Sequence, residues 1–391
     1  MSLSLQNILK EKERRLKILF VSPFTPRECG IATYTSNLAN AINVLNPSKN
    51  FSVFAMEDLV IPRSYSKVVK KIIPHKNIKS YHIAAQAINA SKIDIVSIQH
   101  EYGLYGGECG DYILELAQRI KKPFVITFHT VLSKPTECQK KIIQKLAGYS
   151  KAVIVMAKEA EKRLLKVYSV EAEKIIMIPH GVPDFVHEKK INYKEQLGYP
   201  DAKVISIFGL LSRNKGIEYV IEALPEVVKK IPQTLFLIIG KTHPVISRLE
   251  GESYRAYLEL LVRRLGMTDN IRFVNKYLSH DEIMFYLDAT DIYVTPYLEK
   301  EQITSGTLAY ALGAGKPIIS TPYAYARELL GGGRGVLVPF KDSSSIANAL
   351  VGLFLNNDEL KKLSRKSYLT GRKMIWENVA HQHLNLFSEI V

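Results

Sequence analysis

Cysteine is scarce here: Cys29, Cys109 and Cys138 are all that a chain of 391 residues contains. An odd number at wide spacing argues against a disulfide framework and against a structural zinc site, and fits a reducing compartment. Long apolar runs are also missing. No stretch reaches bilayer-spanning length, and the beginning of the chain, with "LKEKERRLK", lacks the apolar core of a secretory leader. Acidic residues fall short of basic ones, 38 against 53, which leaves a net charge of +15. That balance favours acidic partners: phosphorylated metabolites, nucleotides, an anionic membrane surface or nucleic acid. The lysines are spread along the chain, and zinc-finger spacing, a basic heptad region and an aromatic RNA-binding motif are all absent, so no nucleic-acid partner is expected. These absences together describe a cytoplasmic soluble protein. Weak peripheral membrane contact through helices such as "AEKRLLKVY" stays open beside the reading of a solvated amphipathic helix, and the oligomeric state is open.

What is present is a rhythm. The runs "KILFVS", "FSVFAM", "IDIVSIQH", "PFVITFHT", "KAVIVMA" and "IIMIPHGV" alternate with helix-like stretches, as strands of a parallel sheet covered on both faces do. The rhythm stops near Asp184 in a polar stretch holding Pro183 and Pro200, read as a connector. It restarts with "VISIFGL", "TLFLIIG", "IRFVNKY", "DIYVTPY", "KPIIST" and "GVLVPF". The expected fold is α/β: two doubly wound domains, 1–184 and 185–368, with terminal helices 369–391 crossing back to the first. Ligands of such sheets bind at the carboxyl ends of strands, and two facing domains would form one cleft.

The loops after strands therefore hold the candidates. "PFTPRECGIATYTSNLANAI" leaves the first strand through two prolines, turns at Gly30 and starts a helix whose first amides, from Gly30 and Ile31 onward, face whatever lies there. "QHEYGLYGGECGDY" carries Glu101 and Tyr102; a flexible connection and a polyol contact are both open. His129 ends "ITFHT", where a structural and a functional imidazole are both admissible. In the second half, "FGLLSRNKG" sets Gly209, Arg213 and Lys215 before a helix, either as solvated charges or as a pyrophosphate site of cations and free amides. "GKTHPV" places His243 after a strand, as a turn or as a contact. Ser305, Gly306 and Thr307 begin a helix that they cap, with Gly315 ending it; free amides there suit an anion.

Taken in order, the glycine turn "CGIATYT", the His of "TFHT", the "RNKG" loop and "GTLAYALGAGKPIISTP" resemble the retaining nucleotide-sugar glycosyltransferases of family 4, also called glycosyl transferases group 1, over nearly the whole chain. That resemblance implies the GT-B architecture, two Rossmann-like domains facing across a cleft. It implies a hexosyltransferase that takes mannose or glucose, mannose slightly favoured, from a GDP- or UDP-sugar to a sugar or polyol acceptor. By the same resemblance, Arg213 and Lys215 neutralise the departing diphosphate, and Ser305, Gly306 and Thr307 present amides to it. His129 orients the donor sugar, and Gly30 lies against donor phosphate and acceptor. Ile31, Glu101 and Tyr102 face the acceptor, and Gly209, His243, Asn275 and Tyr277 line the donor. The reaction implied is a same-face, oxocarbenium-like substitution that uses no cofactor and no metal, in keeping with the lack of an Asp-x-Asp motif.

One departure stands out. The family carries two glutamates separated by seven residues, and counting back from Gly315 those slots fall on Gln302 and Tyr310, with Glu301 one place early. Gln302 can hydrogen-bond sugar hydroxyls but brings no charge, and Tyr310 offers a phenol in place of a carboxylate. Two alternatives therefore remain beside the transferase: a non-catalytic scaffold for a nucleotide or phosphosugar, and a glycosyl phosphorylase or epimerase on the same architecture.

Overall fold

The computed structural model describes residues 16–46, 51–58, 62–185 and 193–391. They form two compact units. One comprises the residues up to Gly181 together with Trp376–Val391, and the other is Val182–Ile375. Much of the basic stretch near the beginning of the chain lies outside the described residues, as does the centre of the polar connector.

The first unit is built on seven strands: β1 (Ile18–Ser22), β2 (Phe51–Glu57), β3 (Val69–Pro74), β4 (Ile95–His100), β5 (Phe124–Phe128), β6 (Ala152–Val155) and β7 (Ile175–Met177). They lie in the order β3-β2-β1-β4-β5-β6-β7, all parallel, with Ile18 opposite both Phe51 and Ile95. Strands β1, β4, β5 and β6 are buried along their whole length, which explains why they consist of Val, Ile and Phe without polar alternation. Among their few polar members, Ser22 is satisfied inside, its hydroxyl sharing a 2.7 Å hydrogen bond with that of Thr35. The strand order reverses between β1 and β4, so the loops after those strands open at a topological switch point.

Helix Gly30–Leu45 follows β1 and buries Ala32, Tyr34, Leu38, Ala39 and Ile42, one stripe at helical spacing. The terminal helix Trp376–Ile390 packs against it and buries Val379, Ala380, His383 and Phe387. Trp376 itself lies on Gly181, where an added Cβ would stand 2.1 Å from its ring.

The second unit has six strands: β8 (Lys203–Phe208), β9 (Thr234–Ile239), β10 (Ile271–Val274), β11 (Ile292–Thr295), β12 (Ile318–Ser320) and β13 (Val336–Leu337). Their order, β10-β9-β8-β11-β12-β13, is again parallel and reverses between β8 and β11. The loops that open at this switch point carry Arg213 and Lys215 on one side and residues 296–305 on the other.

One local expectation needs correction. Gly30 is not a turn: it is the first residue of its helix, and the chain bends earlier, around Thr25 and Pro26. The stretch read as a connector is packed at its start. Val182, Pro183 and Phe185 are buried, and the Val182 amide donates to the Met374 carbonyl at 2.8 Å, so this stretch is packed structure. Among the described residues, no helix is long and apolar enough to cross a membrane.

Candidate functional site

In the first unit three loops after strands bring side chains together. His129 follows β5 and is 8% exposed. Its Nε2 lies 2.9 Å from Gln99 Oε1, and the Gln99 amide group is oriented by donating to Ser97 Oγ at 3.2 Å. That orientation leaves Oε1 as an acceptor, so the proton of His129 sits on Nε2 and Nδ1 keeps its lone pair. Burial, with His180 and His100 nearby, lowers the His129 pKa to about 3. The imidazole is therefore neutral at every physiological pH, an orienting group rather than a proton store.

An aromatic cluster supports it. The Tyr34 ring stands edge-on to His129 at 5.0 Å, to His180 at 5.2 Å and to Trp376 at 5.4 Å. Tyr34 lies one turn after Gly30 and Ile31, and it ties the start of their helix to His129. At that start Cys29 gives no side-chain cap, and a Cβ on Gly30 would meet nothing within 4 Å. Beside His129, Thr130 donates to the Glu101 carboxylate, which also accepts from the Tyr102 amide at 3.0 Å. Burial raises the Glu101 pKa. Tyr102 reaches the Gln139 carbonyl at 3.4 Å. The glycines of this loop are needed by its own packing: a Cβ on Gly106 would stand 2.1 Å from the His75 carbonyl oxygen, and one on Gly110 2.4 Å from that of Tyr102. The flexible reading of this connection is therefore replaced by a packed one.

In the second unit, Arg213–Lys215 form a single 3-10 turn after β8. Arg213 is the more exposed cation, its side chain 58% accessible, and pairs with Glu250 at 3.6 Å above the Tyr254 ring. Lys215 is half-buried, with Nζ 3.7 Å from the centre of the Tyr297 ring. The Tyr297 hydroxyl shares a 2.8 Å hydrogen bond with Thr307, in the first turn of helix Gly306–Gly313. Ser305 caps that helix by accepting from the Leu308 amide at 3.3 Å. Gly209, with φ 129°, lies where a Cβ would stand 3.2 Å from Thr307 Cγ2. His243 accepts from the Val245 amide at 3.2 Å, and burial, then repulsion from Lys215 and Arg248, lowers its pKa.

Gly209, Lys215, His243, Ser305, Gly306 and Thr307 are thus gathered around the β8 and β11 strand ends. The remaining candidates are placed differently. Asn275 is exposed and Tyr277 half-buried beyond β10, at the sheet edge. Gln302 turns its amide nitrogen to the Thr304 carbonyl at 2.7 Å. Glu301 is exposed, and Tyr310, only 5% exposed, is packed within its helix. Sequence reasoning missed Gln99, Tyr34, His180 and Trp376 around His129, and Tyr297 and Tyr254 beneath the cations. Tyr297, directly after the run "DIYVTP", and His180, in "IIMIPHGV", follow strands and could have been found there.

Comparison with known proteins adds the following. Residues 45–184 match the family model described as Glycosyltransferase Family 4, and residues 202–356 that described as Glycosyl transferases group 1. An uncharacterized glycosyltransferase of Methanocaldococcus jannaschii is 24% identical over 60% of this chain; the match spans 59% of that relative's own length. A phosphatidyl-myo-inositol mannosyltransferase of Mycobacterium leprae is 28% identical over 68% of the chain and 67% of its own. The crystal structure of Anabaena HepE with UDP and glucose superposes with a TM-score of 0.75 at 16% identity, covering 95% of this chain and all of that one.

Proposed function

Since the chain belongs to the family 4, or group 1, glycosyltransferases, we propose that it moves a hexose, mannose or glucose, from a nucleoside diphosphate sugar to a hydroxyl of a sugar or polyol, with retention and without a metal. The observation that carries this reading is the meeting of Lys215, through Tyr297, with the first turn of helix Gly306–Gly313 at a switch point of the second sheet. An ammonium and free helix amides both favour the same anion, and the charge that develops on a departing diphosphate is what they stabilise. Arg213 adds a guanidinium on the exposed side.

In the reaction proposed, the bond from the anomeric carbon to the diphosphate oxygen breaks and the acceptor oxygen bonds to that carbon on the same face. The acceptor proton passes to a diphosphate oxygen. No side-chain base is required, and a neutral His129 suits this: its Nδ1 lone pair accepts from a hydroxyl of the donor sugar and orients it. In the same reading Glu101, held by Thr130 and the Tyr102 amide, accepts from acceptor hydroxyls. HepE, with bound UDP, and the mycobacterial mannosyltransferase motivate trying both nucleotides and both sugars.

The test is incubation with UDP- and GDP-linked glucose and mannose and a panel of sugar and polyol acceptors. Release of UDP or GDP that depends on acceptor is expected, and Lys215→Ala lowers kcat about 100-fold or more. No nucleotide release with any pair would overturn the proposal. A second reading, a scaffold that binds a nucleotide without turnover, is favoured by one observation: Gln302 is turned to the Thr304 carbonyl and Tyr310 is packed away, so neither glutamate slot presents a carboxylate. Tight nucleotide binding with no product would select it.

A further inference from the structure

We propose that Tyr297 is a positioning residue that couples the Lys215 ammonium to the first turn of helix Gly306–Gly313, so that cation and helix act on an anion as one element. The proposal rests on the diphosphate reading above and deepens it.

The loop after β8 is laid directly on the segment after β11. The Leu298 amide donates to the Asn214 carbonyl at 2.9 Å. Gly216, left-handed with φ 61°, lies where a Cβ would stand 2.2 Å from the Pro296 carbonyl oxygen, so the approach is open to glycine alone. This contact sets Lys215 over Tyr297, a side chain 1% exposed whose ring also stacks on Tyr323 at 5.4 Å and 18°. An aromatic face attracts an ammonium held close to it, and Nζ here is 3.7 Å from the ring centre.

The hydroxyl end of the same ring is bonded to Thr307 at 2.8 Å, and Thr307 Oγ1 is 3.2 Å from Ser305 Oγ, the group that caps the Leu308 amide. A continuous series of contacts therefore runs from ammonium to ring, hydroxyl, threonine and capped helix. The buried hydroxyl needs a partner, and the one it has lies in a turn whose free amides suit an anion. With that bond, displacement of the helix start moves the surface on which Lys215 rests, and the reverse.

Two measurements test this on the full chain. The first needs no nucleotide. With lysines reductively methylated with carbon-13, and Lys215 assigned by Lys215→Arg, its methyl resonance is expected upfield through the Tyr297 ring current. Thr307→Val and Tyr297→Phe, each keeping its shape and lacking the hydroxyl, are expected to shift it markedly back; a resonance that ignores both overturns the inference. The second is a calorimetric double-mutant cycle with UDP and inorganic pyrophosphate as probes. Lys215→Met and Thr307→Val are each expected to weaken binding about tenfold. Their effects should be non-multiplicative in the natural sequence and multiplicative in the Tyr297→Phe background. Multiplicative effects in both backgrounds also overturn it. If neither probe binds, the diphosphate reading falls while the resonance still decides the coupling; if both bind and the resonance is indifferent, the coupling falls alone.

Discussion

Gln99 decides which nitrogen of His129 carries the proton, and it does so from inside a strand, out of reach of any ligand in the sequence reading. Removing its side-chain amide should cost activity through the imidazole alone. Gln99→Leu is expected to lower kcat/KM about tenfold or more, because a buried donor on Nε2 then lacks its acceptor and the ring is free to turn. His129→Ala should lower it by a similar or larger factor, and the double variant should be no worse than His129→Ala, as for residues acting in series. Steady-state kinetics of the three variants checks this. His129 itself was legible, since a histidine directly after a strand of "ITF" sits where ligands bind. Its supporters were not: Tyr34, Gln99, His180 and Trp376 come from separate stretches of chain, and nothing local in the sequence announces that their side chains meet.

At the scale of elements, glycines separate two kinds of demand. Gly240, with φ 140°, lies where a Cβ would stand 1.9 Å from the Gly209 carbonyl oxygen, so Gly240→Ala is strained in both backbone and packing. A loss of about 2 kcal/mol or more is expected, read as a lower midpoint in urea. Gly30 makes no such demand: its Cβ would enter open room, so Gly30→Ala should leave the urea midpoint within about 0.5 kcal/mol and instead weaken substrate binding, read as a raised KM. The strands and the helices between them were readable because apolar runs with no polar alternation have few alternatives to a covered parallel sheet. The packing at the start of the connector was not readable because the partners of Val182, Met374 and Gly313, lie far along the chain.

The whole molecule should respond to acid through its first unit. Burial lowers the pKa of His100, His129 and His383 to about 3 and that of His180 to about 4. The unfolded chain takes up a proton on each near pH 6.5, whereas the folded chain does not until far lower. Stability is therefore full above about pH 6.5 and falls as the pH drops from there towards 4, by up to about 1.4 kcal/mol per pH unit for each histidine. Thermal midpoints recorded between pH 7.5 and 5 should decline, and His383→Gln, away from the candidate site, should flatten the decline. A pH-independent midpoint would contradict the buried neutral state.

The first unit is interrupted: its chain departs at Gly181 and resumes at Trp376. During synthesis the inserted body therefore has its entire sequence before the earlier one does. Until helix Trp376–Ile390 leaves the ribosome, helix Gly30–Leu45 lacks the helix it packs against. The unit begun first is the one completed last, and a nascent chain must carry that unpartnered helix, a natural target for chaperones, through most of its translation.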